Sequence, residues 1–217
     1  MGSVLEIFQR PEFLNQLLVH VELSVVALLI GVAIALPMAL AVYRSPLASA
    51  VAVNIGNIGR AVPSLAILAL VFPLLGFGFD TALVALVLLA IPPILINAST
   101  GLRQVNRQVI DAAKGMGLSG GQILSRIQLP IALPVIFAGI RTSAVQVVAS
   151  ATLATFIGGG GLGDLIVLGF QSNDLAVQIG GSLAVAVLAI ITEITFGILE
   201  RTFTPKGLLV ARERRNQ

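Results

Sequence analysis

Five stretches of this chain run apolar for the length of a membrane crossing, and the polar residues between them fall into short, unevenly charged segments. Residues 23–43, 61–79 and 81–102 contain no Asp, Glu, Lys or Arg; residues 127–163 contain only Arg141, and residues 175–199 only Glu193. A helix of about 20 apolar residues reaches across a bilayer. The pattern therefore predicts five spanning helices, at 23–43, 61–79, 81–102, about 131–156 and 175–199, the fourth trimmed to leave its glycines outside. The runs do not alternate in segments of about ten residues, as a membrane β-barrel requires. The predicted fold is all-α and polytopic, a single transmembrane domain over residues 1–217. Residues 1–16 read as a short interfacial stretch. They lack the basic region, apolar core and cleavage site of a secretory signal, so the first helix is expected to stay.

Composition sharpens this picture. Of 217 residues, 57% are hydrophobic and 11% charged, where a soluble domain carries roughly 25% charged. Such a chain has too little polar surface for a soluble enzyme, and with no cysteine it is no disulfide scaffold. The net charge of +3 could suggest a nucleic-acid partner, but the distribution of charge speaks for topology. With five crossings, Arg44, Arg60, Arg103, Arg107, Lys114, Arg126, Arg201, Lys206, Arg212, Arg214 and Arg215 share one side, and only Arg10 lies opposite. Cytoplasmic loops collect Lys and Arg. The N-terminus is thus expected outside and the C-terminus in the cytoplasm, with Glu6, Glu12, Asp80, Asp164 and Asp174 outside and no role for nucleic acid. The tail residues Arg212, Arg214 and Arg215 suit contact with anionic membrane lipid, or serve only as a topology signal.

The one long polar segment is residues 103–130, on the predicted cytoplasmic side. It reads as a short helix near 104–114, a glycine break at Gly115 and Gly117, and a second helix near 119–127, with Pro130 opening the next span. Two short helices too polar for lipid suit docking to a soluble partner. Asp111 offers a charge there, and Ala112 and Ala113 allow close approach. Asp111-Ala112-Ala113, three residues, Gly117, nine residues, Ile127, one residue and Leu129-Pro130 resemble the coupling loop of ABC importer permeases at every spacing. One position departs, since Asp111 stands where that family usually has Glu, and its reach is one methylene shorter. Residues 60–69, 134–142, 156–164 (FIGGGGLGD) and 200–208 are similar to one branch of those permeases, which takes up glycine betaine, choline and carnitine.

The resemblance implies a transport subunit rather than an enzyme, in a bacterial or archaeal cell (inner) membrane. It implies ABC ATPase subunits docked on residues 103–130, carrying the ATP and Mg that this chain does not bind, and a second permease copy in a homodimer or heterodimer. It also implies an extracellular substrate-binding protein that delivers cargo to the outer loops. A permease for another small polar solute, such as an amino acid, is the alternative; an ion-driven carrier would need inverted repeats, which five helices do not supply.

Gly115–Gly120 and Gly158–Gly163 both fit G-x-G-x-x-G, but neither follows a strand, as a dinucleotide site requires. No phosphate-binding G-x-x-x-x-G-K-[ST] occurs, so ATP hydrolysis must come from another subunit. The run Gly158, Gly159, Gly160, Gly161, Leu162 and Gly163 lies at the outer end of the fourth helix and is expected to act as a gate or as a docking surface for the binding protein. Arg141 and Glu193 are charges within spans, which are costly unless paired or hydrated, and they are expected to pair. Pro63, Pro73, Pro92 and Pro93 are expected to interrupt the second and third helices, with Asn97 a buried polar group nearby. His20 and Tyr43 are read as interfacial residues without chemistry. Quaternary ammonium groups are typically held in aromatic cages. With no Trp, one Tyr and scattered Phe, this chain is not expected to build one, which leaves selectivity to a separate binding protein.

Overall fold

The computed structural model describes residues 7–9 and 11–203, all of them in helices, turns and short connections. Glu6, Arg10, Lys206, Arg212, Arg214 and Arg215, and the end of the 200–208 segment, lie outside the described residues. Helix α1 runs Pro11–Val42, α2 Pro46–Ala61, α3 Ser64–Leu75 and α4 Phe79–Arg103. On the polar segment, α5 is Arg107–Gly115 and α6 Gly120–Ile123; α7 (Leu129–Ala151), α8 (Gly163–Gln171) and α9 (Leu175–Phe203) follow.

The first helix begins a dozen residues before the predicted start. Pro11 sits where a helix tolerates a missing N–H, and Glu12 complements the helix dipole in the first turn. Glu22, which bounded the charge-free window, is simply carried on a long helix. The predicted second span, 61–79, is instead a bent pair. Pro63 pushes Val62 out of the helical region (ψ 125°), and α3 leaves α2 at 94°. The pair still crosses. Its start is fixed to one end of α4, where Arg103 Nη1 donates to the Pro46 carbonyl at 3.0 Å. Its end, Gly78, adjoins the other end of α4 at Phe79. Four long apolar helices and this broken one make five passages.

Of the four prolines expected to interrupt helices, only Pro63 breaks one. Pro73 lies inside α3, and Pro92 and Pro93 inside a continuous α4. Neighbouring polar groups serve the backbone of that stretch: the Asn97 amide donates to the Pro93 carbonyl at 2.8 Å, and Ser143 Oγ of α7 to the Ala90 carbonyl at 2.9 Å. Asn97 itself is half-buried. Lipid offers helices no hydrophobic reason to associate, so close packing must hold them. Here α4 is the hub, with small residues at its contacts. A Cβ on Gly31 of α1 would lie 2.6 Å from the Ala90 Cβ, and one on Gly139 of α7 would lie 2.6 Å from the Asn97 Cβ. One buried cluster joins α1, α3, α4 and α7 around Leu23, Leu68, Leu86 and Val147; another joins the other halves of α1, α4 and α7 around Ala39, Leu102 and Ile136.

Pro130 lies in the first turn of α7, as expected, but α7 is not a separate rod. Gly120–Ile157 is one helical run, with a wide turn at Leu124–Gln128 and a tight one at Thr152–Ile157. A proline lacks its N–H and crowds the carbonyl four residues back. The wider i→i+5 turn ahead of Pro130 absorbs that conflict.

Candidate functional site

The polar segment forms a protruding platform built by local capping. Asn106 caps α5, its side chain accepting from Gln108 N at 2.8 Å. The helix ends in a Schellman motif: Gly117 N donates to Lys114 O at 2.9 Å and Leu118 N to Ala113 O at 3.1 Å. Gly117 sits at φ +82°, the left-handed conformation the motif demands. Gly115 has no such requirement. Ser119 and Gln122 then form a capping box that starts α6.

This folding sorts the candidate residues into two sets. Ala113 is fully buried and seats α5 on the bundle, while Ile127, Leu129 and Pro130 are half-buried at the root of α7. Asp111 and Ala112 face outward, Asp111 in a solvated pair with Lys114 at 3.4 Å. An exposed pair of this kind contributes little and exchanges readily. Beside them Val109 and Met116 are exposed, Met116 at 73%. Val109, Ala112 and Met116 recur at helical spacing, so the outer face of α5 is a small apolar strip beside one carboxylate. Val109 and Met116 went unread in the sequence, although the i, i+3, i+7 pattern was there to find.

Tyr43 is buried rather than interfacial, because it ties the platform to the end of α1. Its hydroxyl donates to Gln128 Oε1 at 3.3 Å and accepts from Arg44 Nε at 2.9 Å. That hydrogen bond raises the Arg44 pKa above its ordinary value. Between the α1–α2 elbow and α5 lies a cleft of about 560 Å³ lined by Arg44, Arg103, Arg107, Lys114 and Asp111.

At the other end of α7 the glycine run is a closely fitted turn. Gly158, Gly160 and Gly161 have φ of +70°, +77° and +100°, which side chains resist. A Cβ on Gly159 would lie 2.7 Å from the Ala82 Cβ, and one on Gly163 would collide with the Thr152 carbonyl. Gly78 N donates to the Ile157 carbonyl at 2.7 Å, joining the α3–α4 corner to the turn. Leu162 is fully buried with Ile7, Leu165 and Val177. His20 is likewise fully buried against this turn. It lies three residues before the charge-free window, inside the longer α1, so it falls within packed protein and not at the interface.

Within the spans, Arg141 Nη2 donates to Glu193 of α9 and Nη1 donates to Glu200 Oε2 at 3.2 Å. Gly197 lies between the two carboxylates, and a Cβ added there would meet the guanidinium only at ordinary contact distance, 3.5 Å. Glu200 was not singled out in the sequence. Its seven-residue spacing from Glu193, which puts both on one face of α9, was the available signal. Among the described residues, no group of three or more His, Cys, Asp or Glu is arranged to hold a metal ion.

The comparisons with known proteins agree with this geometry. A family model described as the binding-protein-dependent transport system inner membrane component matches residues 27–206. The glycine betaine/carnitine/choline transport system permease protein OpuCB of Bacillus subtilis is 41% identical over 189 residues, covering 87% of each chain. The choline transport system permease protein OpuBB of the same organism is 41% identical, covering 91% of each. The carnitine transport permease protein OpuCB of Listeria monocytogenes is 39% identical, covering 98% of this chain and 99% of its own. Among solved structures, the inward-facing MetNI methionine ABC transporter superposes with a TM-score of 0.77 at 22% identity, over 89% of this chain and 96% of that one. At that identity the match speaks for the fold.

Proposed function

The chain belongs to the inner membrane components of binding-protein-dependent transport systems, the membrane-spanning permease subunits of ABC importers, and on that premise we propose that it forms the pathway for a quaternary-ammonium osmoprotectant of the glycine betaine, choline or carnitine type. The observation that carries the reading is the platform of α5 and α6. It holds Asp111, Ala112, Ala113 and Gly117 at the spacing of a coupling loop, with Ala113 buried and the other three exposed. The substrate class is supported by the transport activities named for OpuCB and OpuBB. An amino acid as cargo gains no support beyond a shared fold.

The mechanism follows from continuity. An ABC ATPase, holding ATP and Mg, docks on Val109, Asp111, Ala112 and Met116. The run Gly120–Ile157 links that platform to the glycine turn without a break. Nucleotide-driven movement of the ATPases then reaches Gly158–Gly163 through one lever of 38 residues, spanning about 57 Å at 1.5 Å per residue. Five crossings and the basic platform support an orientation with the N-terminus outside, α5 in the cytoplasm and the glycine turn outside, where a binding protein delivers cargo. Arg141 and Glu193 keep 34% and 45% of their side-chain surface on one face of a single subunit. Charges do not face lipid at that depth. That face, shared by α7 and α9, therefore meets a second permease subunit or the water of the pathway. Tyr43, the one Tyr, is buried on the cytoplasmic side and occupied by hydrogen bonds. Selection of the ammonium group accordingly falls to the binding protein.

The test is reconstitution of the chain with its ATPase and binding protein in proteoliposomes. ATP-dependent uptake of labelled glycine betaine, choline or carnitine, with none of methionine or histidine, is the expected result. Uptake of the amino acids alone would overturn the substrate class and leave the importer reading standing.

A further inference from the structure

We propose that His20 is the positioning residue of the outer glycine turn, a neutral imidazole that latches α7 and α8 to α1. Two helix ends meet at its ring. Val148 is among the last four residues of α7, whose carbonyls lose their α-helical partners. Leu162 is the residue that opens α8, where no side chain caps the free N–H groups. His20 serves both. Its Nε2 lies 3.0 Å from the Val148 carbonyl, and Leu162 N donates to its Nδ1 at 3.3 Å.

A carbonyl only accepts and a backbone N–H only donates, so the partners assign the proton to Nε2 and leave Nδ1 bare. The latch uses both nitrogens of the neutral ring and leaves neither spare. The surroundings are shaped to this ring. Gly161, at φ +100°, would bring a Cβ to 3.2 Å from Nδ1, and Gly160 would bring one to 3.2 Å from Val19 Cγ1. The glycine turn thus wraps the α1 surface at His20 with backbone alone. Ser24 Oγ donates to the His20 carbonyl at 2.7 Å, one turn along the same helix. A buried backbone group stripped of its partner is expensive. Losing the imidazole orphans one acceptor and one donor at once, and the turn escapes by moving toward water. His20 touches no cargo in this scheme; it sets where the turn sits when the outer side is closed. The inference rests on the outer placement of the turn.

The chain contains no cysteine, so single cysteines report cleanly. Leu162→Cys places a thiol in the latched turn, and Ser99→Cys places one in the buried middle of the bundle; both positions are fully buried. Each is made in the otherwise wild-type chain, in His20→Phe and in His20→Gln, whose amide can both donate and accept. The complex with its ATPase is labelled with a membrane-impermeant maleimide in right-side-out and inside-out vesicles. Expected is at least a tenfold faster labelling of the Leu162→Cys thiol in His20→Phe, from the outside only, with protection restored in His20→Gln and the Ser99→Cys thiol protected throughout. Equal protection in wild type and His20→Phe from both sides overturns the latch. So does labelling of both thiols together, which would mean general loosening. Faster labelling from the inside alone would keep the latch and overturn the orientation on which its gating role rests.

Discussion

Gly139→Ala tests whether α4 and α7 are held by close backbone approach. An added Cβ would lie 2.6 Å from the Asn97 Cβ and 2.9 Å from the Pro93 carbonyl oxygen. Carbon contacts settle at about 3.5–4.0 Å, so the helices must part by about 1 Å. One turn on, Ser143 Oγ donates across the same interface to the Ala90 carbonyl at 2.9 Å. The same shift stretches that bond to about 3.9 Å, outside hydrogen-bonding range. Overpacking costs about 1–3 kcal/mol, and the lost buried bond adds about 1 kcal/mol. The sum, about 2–4 kcal/mol, is large beside the marginal stability of folded proteins. Gly121→Ala is the comparator, because nothing lies within 4 Å of its added carbon and its backbone is unstrained; its effect should stay within about 0.5 kcal/mol. Both variants, as fluorescent fusions in mild detergent, are heated and scored by the fraction that remains monodisperse on size exclusion. Loss of the peak by aggregation is an irreversible readout, so the ranking is what counts. Gly139→Ala should lose its peak at a clearly lower temperature than wild type and Gly121→Ala. Coincident curves for all three would refute the close-packing argument.

Two further predictions concern the charges and the platform. Arg141→Glu and Glu193→Arg should each lower uptake and membrane yield, and the double exchange should restore part of both; no rescue in uptake assays would mean that the ion pair is not what these residues supply. Gly117→Ala forces a side chain into the left-handed region at about 1–2 kcal/mol, in open space at the end of α5. Pull-down should show weaker ATPase association with an unchanged melting profile of the permease, whereas a collapsed profile would place Gly117 in the stability of the bundle.

What the sequence disclosed and what it withheld divide along physical lines. Spans announced themselves because lipid exposure forbids charge, and so four of the five windows fell within helices of the structure. Boundaries were less legible. Glu22 ended a window but not a helix, since polar residues at membrane edges cost little. The prolines misled for a related reason. Pro92 and Pro93 look like breakers in one dimension, yet Asn97 and Ser143 supply backbone partners that only the folded bundle brings near. The two short helices of the polar segment and the glycine break between them were readable in the sequence, and the structure adds why Gly117 occupies its place. His20 was opaque, because its partners lie 128 and 142 residues away. No periodicity along α1 encodes a carbonyl on α7.

The central claim is that residues 103–130 couple this permease to an ABC ATPase. It is tested most directly by pull-down of the tagged chain from native membranes in mild detergent, with mass spectrometry of the partners, for wild type and Asp111→Lys. Asp111 is exposed, so the substitution leaves the bundle intact, and a monodisperse size-exclusion peak confirms folding in each preparation. Recovery of an ABC ATPase with wild type and its loss with Asp111→Lys is the predicted result. Equal recovery from both, or no ATPase from a folded wild-type preparation, would contradict it.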